Sequence, residues 1–125
     1  MEAGETFYLP DKSADGHLWI VISDPRTDPN RVLLVSMTSY DVSKEDVCLI
    51  DAGEHPKVKH KTCICYKPAR ATSLENLDRL RDSGYLQMQE PVSAELLQRI
   101  RRGVGLSRQI ELEHLELMED QALLD

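Results

Sequence analysis

The sequence lacks long apolar runs, and its glycines are scattered. No stretch approaches the roughly 18 consecutive apolar residues that indicate a membrane-spanning helix. The six glycines do not cluster, so there is no glycine-rich phosphate loop. The first ten residues are acidic and lack the basic and apolar regions of a secretory signal. We therefore expect a cytoplasmic protein with no membrane association.

Cysteine is also scarce, with only Cys48, Cys63 and Cys65. An odd number at these spacings matches no disulfide framework, which indicates reduced thiols. The motif His60-x-x-Cys63-x-Cys65 does not have the spacing of a zinc knuckle, and on a strand the two cysteines point away from His60. We therefore expect no metal and no cofactor. A hydrolase with a catalytic cysteine is a further hypothesis, although burial in an apolar strand raises a thiol pKa.

Acidic residues outnumber basic ones by 22 to 15, which gives a formal net charge of −7. This excess of acid argues against a nucleic-acid partner, but local fields rather than totals steer a polyanion. The segment from His55 to Arg70 has four lysines, one arginine and no acid. The stretch from Ile110 onward has six acids and neither lysine nor arginine. The basic segment is therefore a candidate nucleic-acid surface.

Two apolar runs, Leu18–Ile22 and Val32–Val35, flank a polar loop that contains two prolines. Short runs rich in Val and Ile with such flanks are typical of buried strands. We expect them to pair as an antiparallel hairpin, which brings His17 close to Thr38 at one end of the sheet. Further strands are predicted over Phe7–Leu9, Asp46–Ile50, Lys57–Tyr66 and Tyr85–Gln89.

Helices are predicted mainly in the second half of the chain. Ser73 is positioned to cap a helix that stops at Gly84, and Ser93 to cap a second one that ends at Gly103 and Gly105. Short strands followed by short helices predict an α+β domain, most simply a small, strongly curled antiparallel β-barrel with two or three helices. We assign residues 1–105 to this single domain and 106–125 to an acidic C-terminal tail or helix.

Three segments resemble a known family. These segments are HLWIVISDP, VLLVSMTS and PVSAELLQRIRRG, the last of which opens a helix. They are similar to segments of the MazF/PemK toxins, which are endoribonucleases on an SH3-like barrel. The resemblance covers about Gly16 to Gly103 in short pieces. It implies an SH3-like, MazF/PemK-type barrel, a homodimer, single-stranded RNA as substrate and an antitoxin protein as partner.

The family's catalytic pair is an arginine before the first strand and a threonine after the second. Thr38 falls on the threonine, but His17 occupies the arginine position and Leu18 that of the following proline. A guanidinium stays charged, whereas an imidazole titrates near neutrality and transfers protons. Any activity must therefore be distributed differently from that of the family.

Metal-independent RNA cleavage requires a base, an acid and a cation near the phosphate. We assign the acid and base to His17 and one of His55 or His60, and a phosphate hydrogen bond to Thr38. The expected substrate-binding residues are Ser39, Lys57, Lys59, Lys61 and Tyr66. Purely structural roles stay open: a backbone-bonded histidine, a solvated lysine edge, and hydroxyls that bond their own strand.

The sequence therefore predicts a toxin-like, metal-independent endoribonuclease of a toxin–antitoxin system. The alternative is a catalytically inactive barrel that serves as a protein-binding or nucleic-acid-binding module. The absence of the family's arginine favours this alternative.

Overall fold

The computed structural model describes residues 1–10 and 16–124, with six strands and three helices among them. In chain order these are β1 (Thr6–Tyr8), β2 (Leu18–Val21), β3 (Val32–Ser39), β4 (Leu49–Ile50), β5 (Thr62–Thr72), α1 (Leu74–Asp82), β6 (Gln87–Gln89), α2 (Ala94–Leu106) and α3 (Leu112–Asp120). The turn expected between Pro10 and Gly16 falls on residues 11–15, outside the described residues.

The six strands form one antiparallel sheet in the spatial order β4, β5, β3, β2, β1, β6. The predicted hairpin is confirmed, since Leu18 pairs with Met37 and Val21 with Leu34. Among the described strands, β4 and β6 lie at opposite edges and do not pair with each other. The α+β class is therefore correct, whereas the strongly curled, SH3-like barrel is wrong.

The sheet stays open because apolar side chains project from both of its faces. Along β3, Leu33 and Val35 belong to one buried cluster, while Val32 and Leu34 belong to another. Residues of α2 and α3 complete the first cluster, and Leu77 of α1 contributes to the second. A closed barrel buries only its inner face, so a second apolar face requires a separate covering layer.

Trp19 lies in the cluster on the α1 side and is 4% exposed. The guanidinium carbon of Arg70, on β5, lies 4.5 Å from the centroid of its ring. This is within the distance at which a cation is attracted to an aromatic face. The pair links β2 to β5 across the intervening strand β3.

Both predicted serine caps are confirmed. Ser73 Oγ accepts a hydrogen bond from the backbone N–H of Asn76, and Ser93 Oγ accepts one from that of Leu96, each at 3.1 Å. After α1, Gly84 has φ +80°, a conformation that favours glycine. The sequence therefore locates the beginnings of α1 and α2 and the turn after α1.

The predicted end of α2 at Gly103 and Gly105 is wrong, because the helix continues to Leu106. Gly103 is buried where the Tyr66 hydroxyl donates a 2.8 Å hydrogen bond to Ile100 O. A Cβ on Gly103 would overlap the Tyr66 Oη atom. This glycine therefore serves close packing rather than helix termination.

The predicted strands over Lys57–Tyr66 and Asp46–Ile50 are only partly correct. β5 begins at Thr62 and runs past Pro68 to Thr72, and only Leu49–Ile50 forms β4. Ser36 pairs with Cys65 but Leu34 with Arg70, so β5 bulges between these two pairs. Pro68 lies within the bulge, where its missing N–H costs no ladder hydrogen bond.

α3 lies within the acidic stretch and packs on the same sheet face as α2. Its Leu117 and Met118 are 2% and 0% exposed, while its glutamates face solvent. None of the described helices is long and apolar enough to cross a membrane.

Candidate functional site

Polar side chains gather in a cavity of about 270 Å³ at the end of the sheet where β2 begins and β3 ends. Its apolar lining includes Leu18, Met37 and Val58. Its polar lining consists of Tyr8, His17, Thr38, Ser39, Lys57, His60 and Thr62. Five of the predicted site residues are therefore brought together here, namely His17, Thr38, Ser39, Lys57 and His60.

Strand register explains how these residues meet. His17 directly precedes β2, whose Leu18 pairs with Met37, so His17 lies at the same end of the hairpin as Thr38. One residue further along β3, Ser39 pairs with Thr62 of β5. The loop before β5 adds Lys57 and His60. The cavity therefore depends on both the local hairpin and the more distant pairing of β3 with β5.

The two hydroxyls that close β3 face opposite sides of the sheet. Alternation along a strand places Ser39 with Val35 and Met37, whereas Thr38 follows Ser36. Val35 and Met37 belong to the cluster under α2 and α3. Thr38 and Ser39 both line the cavity, but by this alternation only Ser39 shares a face with Thr62.

Ser39 and His60 form a hydrogen-bonded pair. The Ser39 Oγ atom lies 2.5 Å from His60 Nε2, and both residues are exposed. Lys44 Nζ donates a 2.8 Å hydrogen bond to the Ser39 carbonyl oxygen, which fixes the backbone there. In the neutral imidazole with its proton on Nδ1, Nε2 accepts from the hydroxyl. A base and a hydroxyl are thus in contact at the cavity.

His55 lies outside the cavity lining and is only 2% exposed. Its Nε2 lies 2.6 Å from Glu90 O, and its Nδ1 accepts a 3.1 Å hydrogen bond from the backbone N–H of Lys57. Since a carbonyl oxygen can only accept, these partners assign the neutral imidazole with its proton on Nε2. His55 therefore anchors the loop that carries Lys57, and of the two candidates it is His60 that lines the cavity.

An ion pair holds the same loop to α2. Glu54 accepts hydrogen bonds from the Arg99 guanidinium and from the backbone N–H of Asp51. The Arg99 hydrogen bond, followed by that of Asp51, lowers the pKa of Glu54. Arg99 also donates to Leu49 O. The loop is therefore fixed from both β4 and α2.

The other predicted substrate-binding residues lie apart from the cavity. Lys59 and Lys61 flank His60 and are exposed, but they do not line it. Tyr66 is 0% exposed, with its hydroxyl bonded to Ile100 O, so substrate cannot reach it in this structure. Of the residues predicted to share one strand face, Thr62, Ile64 and Tyr66 lie on β5, whereas Val58 and His60 precede it. At Tyr66 this face is covered by α2.

The cysteines are free thiols, with Cys48 and Cys63 buried and Cys65 half-buried. Burial raises the pKa of all three, and that of Cys63 to about 11. A thiol of high pKa carries little of the nucleophilic thiolate at neutral pH. These residues therefore do not have the environment of a catalytic cysteine.

The cavity combines one ammonium, two imidazoles, three aliphatic hydroxyls and the phenol of Tyr8. Among its described lining residues there is no carboxylate. Lysine and hydroxyl donors form charge-assisted hydrogen bonds with anionic oxygens, and imidazoles exchange protons near neutral pH. The arrangement therefore suits a phosphate group together with acid–base chemistry.

Sequence reasoning missed two polar lining residues, Tyr8 and Thr62. Thr62 is two residues after His60 within the predicted strand Lys57–Tyr66, a spacing that predicts one shared face and could have identified it. Tyr8 is half-buried and arrives on β1, whose Tyr8 pairs with Leu18. An aromatic ring beside a phosphate site is a common platform for an unpaired base. No local pattern around Tyr8 indicates this position.

Comparisons of the chain with protein-family models, with curated proteins and with solved structures gave no match. The function of the chain is therefore inferred from the cavity and its side chains.

Proposed function

We propose that the chain is a metal-independent endoribonuclease that cleaves single-stranded RNA at this cavity. The observation that carries the proposal is that His17, His60 and Lys57 line one concavity. Two imidazoles supply a base and an acid, and a cation stabilises the charge that develops on the phosphate. Tyr8 provides a surface on which a neighbouring base stacks.

The proposed reaction is a transesterification. One imidazole removes the proton of the ribose 2′-hydroxyl, whose oxygen forms a bond to phosphorus. The bond between phosphorus and the 5′-oxygen breaks, and the other imidazole protonates that oxygen. The products are a 2′,3′-cyclic phosphate and a free 5′-hydroxyl. Lys57 and the Thr38 hydroxyl bind the non-bridging oxygens, so no metal ion is needed.

The biological setting proposed is a toxin–antitoxin system, with a homodimeric toxin and an antitoxin protein as its partner. This part of the proposal is supported only by the similarity of short segments to MazF/PemK toxins. It predicts that induced expression of the chain arrests growth. Expression of a His17→Gln, His60→Gln double variant tests whether any arrest depends on the cavity.

The direct test is cleavage of a single-stranded RNA oligonucleotide by the purified chain in EDTA. We expect cyclic-phosphate ends, and we expect His17→Gln and His60→Gln each to reduce the rate by about 10²–10⁴-fold. Lys57→Gln should slow cleavage, whereas Lys67→Gln, at an exposed site away from the cavity, is the matched control with the same charge change. An oligonucleotide that lacks 2′-hydroxyls should resist cleavage. Equal rates for wild type and the His17→Gln, His60→Gln double variant would contradict the proposal.

The second candidate is an RNA-binding module without catalysis. The Ser39–His60 hydrogen bond favours it, because that bond occupies the nitrogen that a base would need. This alternative predicts binding without cleavage, which weakens steeply with salt as phosphate contacts release counterions. Cleavage by the wild type excludes it, and binding without product ends supports it.

A further inference from the structure

A second cavity, of about 420 Å³, lies between β5 and the start of α3. It shares no lining residue with the cavity described above. Its lining includes the side chains of Arg31, Arg70, Glu111, Glu113 and His114. A role for this second cavity does not depend on the proposed ribonuclease activity.

His114 is the unusual member of this group because it is only 7% exposed. Its Nδ1 is buried and has no hydrogen-bond partner among the described residues. Its Nε2 lies 3.9 Å from the nearer Glu113 carboxylate oxygen, beyond hydrogen-bond distance. Buried polar atoms are normally paired, so an imidazole in this state calls for a partner.

Two carboxylates stand beside this imidazole. One ligand atom each from Glu111, Glu113 and His114 lies within 4.8 Å of the other two. Glu111 directly precedes α3, but its side chain makes no capping hydrogen bond. Both glutamates are exposed, so their carboxylates can rotate toward a common centre. The three residues therefore converge with the buried histidine as the fixed member.

We propose that Glu111, Glu113 and His114 bind one divalent cation of the Zn²⁺ class. One imidazole nitrogen and two carboxylate oxygens are typical zinc ligands, at about 2.0–2.2 Å from the metal. A nitrogen ligand disfavours Mg²⁺, which prefers oxygen. The two negative charges are needed because the positive end of the α3 dipole repels a cation.

The test is a calorimetric titration of the full chain with ZnCl₂ and, separately, with MgCl₂. We expect one Zn²⁺ site that the Glu111→Gln, Glu113→Gln double variant lacks, and no comparable Mg²⁺ binding. The matched control is Glu116→Gln, Glu119→Gln, which makes the same charge change at exposed positions of the same helix. Zinc should raise the melting temperature of the wild type and of the control, but not that of the first double variant.

A His114→Gln variant, checked for folding by circular dichroism, should also lose the site. Three outcomes overturn the proposal: no stoichiometric zinc binding by the wild type, binding that survives Glu111→Gln, Glu113→Gln, or Mg²⁺ binding as tight as Zn²⁺ binding. Binding that survives in the first double variant would assign the ion to other residues of the chain.

Discussion

Burial governs the thiol chemistry of Cys63, which is 1% exposed on β5 and has its pKa raised to about 11. At pH 8 this thiol is protonated, and we expect the folded protein to react with iodoacetamide far more slowly than the urea-unfolded chain. The measurement is the mass of alkylated protein after fixed times with and without urea. Rapid native-state labelling of Cys63 would contradict the structure.

The same shift makes stability depend on pH in alkali. Because the folded pKa of Cys63 is raised above its ordinary value of 9.0, the unfolded thiol ionises first as pH rises. The contribution of the protonated Cys63 thiol to the free energy of unfolding is present in full below about pH 9. It is lost as pH rises through about 11. We expect the urea midpoint to fall over this range, and to fall less in Cys63→Ser, which lacks the titrating thiol.

The histidines show how much of the site could be predicted from the sequence. His55 and His60 both lie in the loop before β5 in similar basic surroundings, and nothing local separates their roles. His55 is buried because Glu90, 35 positions later, supplies the carbonyl oxygen that its Nε2 contacts. His17 was predictable because its position depends only on the adjacent hairpin. A contact made across the chain leaves no local pattern to detect.

Within α2, two glycines two positions apart differ in their surroundings. We expect Gly103→Ala to destabilise the protein by about 1–3 kcal/mol, because the added methyl group overlaps the Tyr66 hydroxyl. Gly105→Ala is the matched control, since its new Cβ would lie 3.8 Å from Leu124 Cδ1, an ordinary van der Waals contact. That change should stabilise the helix by up to about 1 kcal/mol.

Urea unfolding of both glycine variants measures the difference. Equal effects of the two substitutions would mean that Tyr66 does not pack against α2 as described. A Tyr66→Phe, Gly103→Ala double variant adds a further check. It should recover part of the loss, because removing the hydroxyl relieves the overlap.

Local signals predicted elements better than their ends. The serine caps of α1 and α2 were found because a capping side chain bonds within its own first turn. The continuation of α2 through Gly103 and the bulge of β5 near Pro68 were missed. Both depend on a neighbouring strand or side chain, so glycine and proline alone did not indicate them.

Across the whole molecule, α3 stabilises the sheet through its buried residues. Leu117 is 2% exposed, and we expect Leu117→Ala to cost about 2–5 kcal/mol. Leu112 is 67% exposed on the same helix, so Leu112→Ala should change stability by no more than about 0.5 kcal/mol. Urea titrations followed by circular dichroism give both values. A small loss in Leu117→Ala would show that α3 does not dock on the sheet.

The overall architecture was partly visible in the sequence. The sequence contains two continuous apolar runs, LWIVI and VLLV. Neither shows the alternation of apolar and polar residues that is typical of a strand with one solvent-exposed face. This continuity indicates burial on both sides, which an open sheet covered by helices provides and a small barrel does not. The barrel was inferred from the count of short strands and from the family resemblance. Neither indicates whether the second face of the sheet is apolar.

The stacking of Arg70 on Trp19 has a practical consequence. The chain contains a single tryptophan, and its ring is buried on the α1 side of the sheet. Its fluorescence therefore reports when water reaches that layer alone, while α2 and α3 remain optically silent at the same wavelength. Comparing that emission with the helical dichroism during one denaturation would reveal whether the two layers separate together or in turn.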